Sequence, residues 1–573
     1  MEKLWKKINA QIGQKEVFEL AERLQILPIT AQILISRGIT NLDEAKKFIS
    51  PDLNGFHDPF LLKDLDKAID RIKLALDKKE KILIYGDYDV DGTTSIVLLM
   101  RALSPYTSNL YQASLIYYIP HRLTEGYGLS KEGIEFAKIE GVKLIITADC
   151  GISAVAEIED ANSSGIDVIV TDHHEITENL PPAFAIINPK QPGCQYPDKN
   201  LAGVGVVMKL IQGLMKQGYS AIDFNTILEF AALGTVADIV PLIGENRIIA
   251  KYGLAQIQET QNIGLKALIK VCGLEGKKLN SGDIGFKLGP RINAMGRLED
   301  AKLVIQLFLT DSRQEAEDIA KILDEHNQKR QKIQGLIFDE AVESVIPEQD
   351  KDVIVMANNN WHSGVIGIVA SKIVDKYYRP TILISCQDGL GKGSGRSIPN
   401  FNLLNALVQC DDLLETYGGH EQAAGLTIKL EKIEEFRQRI NDYAKGVLQK
   451  INGQQRGGTP PSLEVFEVQL KDISFGLINE LEDLLSPFGI GNPRPVFSTN
   501  ALEVSGSPMI VGNNHLKFKV KDNSPKVIEA IGFNMGDKIT AVRDAESIAL
   551  AYMPQINTWQ DRQSLQLNIK DIK

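Results

Sequence analysis

Residues 167–175 read DVIVTDHHE, a β-branched apolar run that stops on an aspartate and two adjacent histidines. Two histidines in a loop are ordinarily polar surface. Here the same ending recurs. KILIYGDYDVDG (81–92) sets Asp87, Asp89 and Asp91 just after ILIY, and KLIITADCG (143–151) sets Asp149 just after IIT. Stretches with helical spacing separate the runs: SIVLLMRAL, LSKEGIEFAKIEG and AVAEIEDANSSG. Strands alternating with helices predict βαβ units and a largely parallel sheet. The carboxyl ends of parallel strands lie along one edge, where ligands bind. Runs far apart in the chain therefore deliver acids and imidazoles to one place. LEFAALGTVADIVPL (228–242) adds Asp238 in an almost wholly apolar context.

Such a gathering of carboxylates needs compensation, because unpaired buried charge is expensive. No run of lysine or arginine accompanies it, so divalent cations are the expected partners. Oxygen ligands with one or two imidazoles suit Mn²⁺ or Mg²⁺. The acids outnumber what one ion requires, which predicts two ions about 3.5–4 Å apart, an arrangement used for displacement at phosphorus. A single aspartate of the set, taken alone, reads as a helix cap or a turn residue.

At 573 residues the chain exceeds one core and should divide into three or four domains. A net charge of −11 argues against a protein that coats nucleic acid by charge alone, though not against an enzyme with local basic strips. The five cysteines are dispersed without a CxxC pair, which predicts free thiols and no zinc ribbon. No apolar run approaches the roughly 20 residues of a membrane span. The amphipathic start MEKLWKKINAQ lacks a signal core, so a cytoplasmic location with no membrane partner is expected.

The predicted organisation is a helical segment over 1–60, an α/β domain with a parallel sheet over 61–260, and a helical connector over 261–345. A second, smaller α/β domain follows over 346–450, then a β-barrel over 451–573. The connector contains SRQEAEDIAKILDEHNQKRQKIQGLIFDEAVESV (312–345), with apolar positions spaced for one narrow face. INGQQRGGTPPS (451–462) reads as a linker. In HLKFKVKD (515–522), His515, Lys517, Lys519 and Lys521 alternate with Leu516, Phe518 and Val520. A basic strand face over an apolar core suits a groove for single-stranded nucleic acid, and solvated surface lysines are the competing interpretation.

DYDVDG, TADCG, TDHHE and GTVADIVPL resemble, in order and spacing, the four motifs of the DHH phosphoesterases. WHSGVIGIVASKI, GKGSGRS and YGGHEQAAG are similar to the DHHA1 domain that follows in that family. The resemblance covers residues 60–573. The connector and the β-rich tail point to its single-strand-specific 5′→3′ DNA exonucleases, whose tail is an oligonucleotide-binding (OB) barrel. It implies metal ligation by Asp89, Asp91, Asp149, His173, His174 and Asp238. Asp87 stands close by, as ligand or as neighbour, and Tyr85 lies near the place where many members carry a histidine. Asp172 is read as orienting an imidazole. No Ser, Cys or Lys nucleophile stands beside a base, so a water activated by the cations is the expected attacking group. His174 would either ligate an ion or donate a hydrogen bond to developing charge.

Ser394 and Arg396 in GKGSGRS offer a hydroxyl and a guanidinium to a phosphate, and by resemblance this segment anchors the 5′ end of a strand. Arg291 and Arg297 in GPRINAMGRLED, with His121 and Arg122 in PHRLTEGYG, are further candidate contacts. One of each pair competes as a structural ion-pair residue. His420 in YGGHEQAAG is expected in a turn facing the cleft. The implied partners are single-stranded DNA with a free 5′ end, single-strand-binding protein and a helicase. Two rival functions remain: a short-oligonucleotide or cyclic-dinucleotide phosphodiesterase on the same core, and an inactive binding scaffold of the Cdc45 type. Chain length separates the first and the full set of acids the second.

Overall fold

The computed structural model describes residues 3–8, 13–107, 114–122, 124–176, 179–345, 351–452, 462–560 and 562–573; most of the expected linker 451–462 lies outside them. Two compact units are present. One comprises His57–Asp238 and Tyr252–Pro460, the other Glu2–Phe56, Ile239–Lys251 and Pro461–Lys573.

The first unit contains a five-stranded, all-parallel sheet in the spatial order Leu115–Tyr118, Ile82–Gly86, Leu144–Ala148, Asp167–Thr171, Ala185–Ile187. The strands ILIYG and LIITA are buried at every position, as a sheet covered on both faces requires. In sequence order the arrangement is 2-1-3-4-5. The direction of winding therefore reverses between Ile82–Gly86 and Leu144–Ala148, and ligands bind at such a switch point. The short fifth strand, AII, lacks the length that would have marked it in the sequence.

The helix Val90–Thr107 starts inside the acidic motif and is buried from Val90 to Leu99, packing on Gly203–Lys216 and Phe224–Ala237. The 33-residue helix Arg313–Val345 buries one stripe, apolar at both ends and polar in the middle, where Asn327, Arg330 and Gln334 lie. Expected as a connector with a narrow apolar face, it also carries a buried guanidinium. It packs on Ser363–Tyr377, which lies on a second, mixed sheet ordered Leu414–Gly419, Ala423–Lys429, Leu390–Arg396, Thr381–Gln387, Ile354–Asn358.

In the second unit Phe497–Val511, His515–Lys521, Val527–Gly532, Arg562–Ile572 and Ile548–Trp559 pair in a closed circuit, the last strand returning to the first. Closure removes exposed edges. The N-terminal residues, expected as a separate helical segment, share this unit's core: Leu20, Ile33 and Leu34 pack with Phe466, Phe497 and Leu550. Leu4–Lys7 is a strand, paired in parallel with Ser462–Glu467. The segment Ile239–Lys251, expected inside the catalytic domain, also belongs here, and Arg247 is the reason. Its guanidinium is 2% exposed and donates to the carbonyls of Phe48 (2.7 Å), Leu484 (3.0 Å), Leu485 (3.1 Å) and Ser486 (3.1 Å), with Phe48 stacked beneath. Hydrogen bonds to a charged donor contribute about 1.5–3 kcal/mol each, and orphaned buried carbonyls are costly. Arg247→Met should destabilise this unit by about 3 kcal/mol or more. Urea denaturation of the full chain should show its first transition moved to lower urea; an unchanged profile contradicts the assignment.

Candidate active site

Three strands and one helix end deliver the acids. Asp87 follows Ile82–Gly86, and Asp149 follows Leu144–Ala148. Asp172 and the histidines follow Asp167–Thr171, and Asp238 caps Phe224–Ala237. Asp149 sits at φ 64°, a left-handed turn that costs a non-glycine residue free energy. The approach is close enough to demand glycine nearby. A Cβ on Gly203 would lie 2.5 Å from Asp149 Oδ1, and one on Gly92 would lie 2.5 Å from the Asp87 carbonyl oxygen.

Three triads of ligand atoms each lie within 4.8 Å: Asp87–Asp89–Asp149, Asp91–His173–Asp238 and Asp149–His173–His174. The first two share no residue, and the third joins them where Asp149 Oδ1 stands 3.2 Å from His173 Nε2. His173 Nε2 is also 3.5 Å from Asp238 and 3.9 Å from Asp91. Asp87 Oδ1, Asp149 Oδ1, Asp238 Oδ2 and His173 Nε2 are all buried without a hydrogen-bond partner. Four electron-pair donors gathered without a protein donor between them fit cations. Donor chemistry and arrangement fit two hard or borderline divalent ions.

The electrostatics agree. Burial, then the neighbouring Asp89, pushes Asp87 well above the ordinary carboxylate range. Burial and the Asp91 charge do the same to Asp149. Asp238 is pushed up to about 9 by burial and then Asp91. Asp91, also buried beside Asp89, reaches only about 7, because the Gly203 and Val204 N–H groups at a helix start each donate to it at 2.7 Å. His173 falls to about 3 through burial and the charge of His174, which keeps its imidazole neutral and able to ligate.

Asp172 plays a different part. Its Oδ1 accepts from the N–H groups of His173 (2.7 Å) and His174 (3.0 Å) and lies 2.7 Å from His174 Nδ1, while Oδ2 accepts from Ile152 N–H. Burial pushes Asp172 up, but the His174 bond and charge outweigh it and leave it below the usual range. That contact puts Asp172 where it can orient the second imidazole. Tyr127, not singled out in the sequence, completes the clamp: its hydroxyl donates to the Asp149 carbonyl at 3.0 Å and lies 3.2 Å from His174 Nδ1. It lies in GYG beside the quoted PHRLTE, and nothing in its spacing marked it.

A cleft of about 700 Å³ adjoins these groups, lined by Tyr88, Arg122 and Tyr127 on one side and by Ser394 on the second sheet. Arg122 stacks on Tyr88 at 4.8 Å. Arg396 donates to Ser394 Oγ at 3.2 Å, and Arg297 to the Gly364 carbonyl at 3.1 Å. Arg297 is pushed down to about 9 by burial and by Arg122, Arg330 and Arg396 around it. Among the described residues none of these four arginines has a carboxylate within ion-pair distance. Buried cations without counter-charge await an anion.

Other expected contacts fall elsewhere. Arg291 is the structural member of its pair, donating to Asp324 at 2.8 Å and to the Lys287 carbonyl. His121 bonds Thr124 within its own turn. His420 is exposed, its Nδ1 accepting from Gln422 N–H, and it does not line the cleft. The expected basic strand face is partly neutralised: Lys517 pairs with Glu529 at 3.0 Å and Lys521 with Glu503 at 2.8 Å. Lys519 stands opposite Ser505 and Glu529, so cross-strand glutamates on one face offset what alternation alone predicts.

Family models match in three places: the DHH family N-terminal domain over 81–235, the DHHA1 domain over 350–446 and the RecJ OB domain over 466–571. The single-stranded-DNA-specific exonuclease RecJ of Bacillus subtilis (strain 168) is 40% identical over 97% of this chain and 69% of its own length. The chain belongs to the RecJ family. RecJ of Escherichia coli (strain K12) is 34% identical over 99% of both chains. The crystal structure of RecJ in complex with Mn²⁺ from Thermus thermophilus covers 100% of this chain and 79% of that one, with a TM-score of 0.83 at 28% identity. A second crystal structure from that organism is of RecJ in complex with Mg²⁺. Among the described residues no helix is long and apolar enough to cross a membrane.

Raised carboxylates give the metal-free fold a definite pH dependence. Groups held above their unfolded pKa of about 4 contribute stability at low pH, and it is lost as pH rises through the folded values, near 7 for Asp91 and 9 for Asp238. In EDTA the thermal midpoint should fall between about pH 5 and 9, and Mn²⁺ should raise it most at the alkaline end. A Mn²⁺ increment that shrinks with rising pH contradicts this account.

Proposed function

We propose that this chain is a metal-dependent exonuclease that hydrolyses single-stranded DNA from its 5′ end, acting in the cytoplasm in repair and recombination. The observation that carries the proposal is a juxtaposition. Orphaned acids and an imidazole gather at the sheet edge, and Arg122, close to Arg297 and Arg396 and without a carboxylate partner among the described residues, lines the adjoining cleft. A phosphodiester strand with a terminal phosphate is complementary to both.

Two divalent cations, held by Asp87, Asp89, Asp91, Asp149, His173 and Asp238, would supply Lewis acidity toward phosphoryl oxygens and make hydroxide accessible at neutral pH. The protein's own groups set the geometry. Asp172 and Tyr127 hold His174, whose ring is pushed toward the protonated form: burial lowers it, but the Asp172 hydrogen bond and charge raise it further. With Nδ1–H engaged by Asp172, Nε2–H is left to donate to a phosphoryl oxygen as charge develops. Arg122, Ser394 and Arg396 would grip the 5′ phosphate, with Arg297 behind them. A grip on the terminal phosphate fixes the distance to the cut and makes the enzyme act from an end. Single-strand-binding protein and a helicase, which expose such ends, belong to the same proposal as partners.

Digestion of end-labelled strands with Mn²⁺, Mg²⁺ or EDTA tests it. A 5′ label should appear first in mononucleotide, and EDTA should stop the reaction. Asp149→Asn and His174→Ala should each lower kcat by at least about a hundredfold with strand binding retained. Arg396→Ala should instead raise KM for 5′-phosphorylated strands, since it removes an interaction common to ground and transition states. Early release of a 3′ label, or full turnover in EDTA, contradicts the proposal.

A further inference from the structure

The floor of the cleft carries a second polar rung that a terminal monophosphate leaves unused. Along Leu390–Arg396 the residues Lys392, Ser394 and Arg396 share one face, while Gly391, Gly393 and Gly395 face inward, where any Cβ would strike Ile384, Leu426 or Leu403. Across the sheet the register sets Ser394 opposite Gly425 and Gly425 opposite Gly418. One step along, Lys392 stands opposite Thr427 and Thr427 opposite Thr416. Residues two apart on a strand are separated by about 7 Å. On the two strands beside Ser394 the serine rung continues as bare backbone. A Cβ on Gly418 would meet nothing within 4 Å, and one on Gly425 nothing nearer than 3.9 Å.

We propose that this second rung, Lys392 with Thr427 and Thr416, is an anion subsite that accepts the outer phosphates of a strand bearing a 5′-di- or triphosphate. The inference rests on the exonuclease reading and specifies which ends it accepts. An ammonium and two hydroxyls at one level suit phosphoryl oxygens. The open backbone at Gly425 and Gly418, beside Ser394, leaves space for a phosphoanhydride chain to turn from the first rung toward the second. De novo strand initiation by a polymerase is the class of reaction that leaves such an end.

The chemistry requires nothing new. Water attacks the phosphorus between the first two nucleotides, the P–O3′ bond breaks, and O3′ takes up a proton. The released nucleoside keeps its triphosphate with the anhydride bonds intact, and the shortened strand begins with an ordinary 5′ monophosphate. The second rung therefore serves the first turnover only.

The test compares oligodeoxynucleotides of one sequence carrying a 5′-monophosphate or a 5′-triphosphate, with the full chain and Mn²⁺. Wild type should degrade the two at rates within about threefold, with a nucleoside triphosphate as the first product of the second strand. Lys392→Ala should slow first release from the triphosphate strand at least about tenfold, and Lys392→Arg should restore most of it. Lys392→Ala should leave the monophosphate strand, and all later turnovers, within about twofold of wild type. The subsite is refuted if wild type resists the triphosphate end, if pyrophosphate or phosphate is released first, or if Lys392→Ala slows both strands alike. Failure of wild type on the monophosphate strand would instead remove the exonuclease reading beneath it.

Discussion

The structure depends on holding several carboxylates out of water at the carboxyl edge of one parallel sheet. Asp91 is satisfied by two N–H groups at a helix start and Asp172 by an imidazole and three backbone N–H groups. Asp87, Asp149 and Asp238 each keep an oxygen with no partner. Left so, these groups repel one another across a few ångströms of low-dielectric interior, and their raised proton affinities express that repulsion. Divalent cations resolve it. The left-handed turn at Asp149 and the glycines at 92 and 203 permit the close approach of the acids.

The opposite sign of charge gathers in the adjoining cleft. Arg122, Arg330 and Arg396 stand near Arg297, and burial with their repulsion lowers its proton affinity. A metal-binding acid cluster beside guanidinium groups suits a phosphodiester better than a neutral chain. The overall charge of −11 hides this separation completely. Local disposition, not net charge, governs what the protein binds.

Much of this was legible in the sequence, for identifiable reasons. A buried parallel strand needs a continuous apolar run, so the acids that end such runs stand out, and the switch-point rule then places them together. The central strands of the first sheet followed from their apolar runs and the helices between them from helical spacing, whereas the short strand Ala185–Ile187 carried no such signal. Longer-range facts did not. Nothing local in Ile239–Lys251 says that Arg247 will donate to carbonyls near residue 485, or that Leu20 and Leu34 will share a core with Phe497. The alternation in HLKFKVKD reported one face correctly, yet the glutamates that pair with Lys517 and Lys521 come from other strands and could be found only from the structure. Arg291 and Arg297, six residues apart, could be told apart only by seeing that Asp324 reaches the first. Tyr127 lay unnoticed for a related reason: it acts through a hydroxyl whose partners are distant in the chain.

The orphaned acids and imidazole are arranged to cage two divalent ions. Anomalous diffraction from crystals of the full chain soaked in Mn²⁺ tests it most directly. Two peaks should appear, one bounded by Asp87, Asp89 and Asp149 and the other by Asp91, His173 and Asp238. A map without peaks there, or with manganese only at surface carboxylates, would contradict the account.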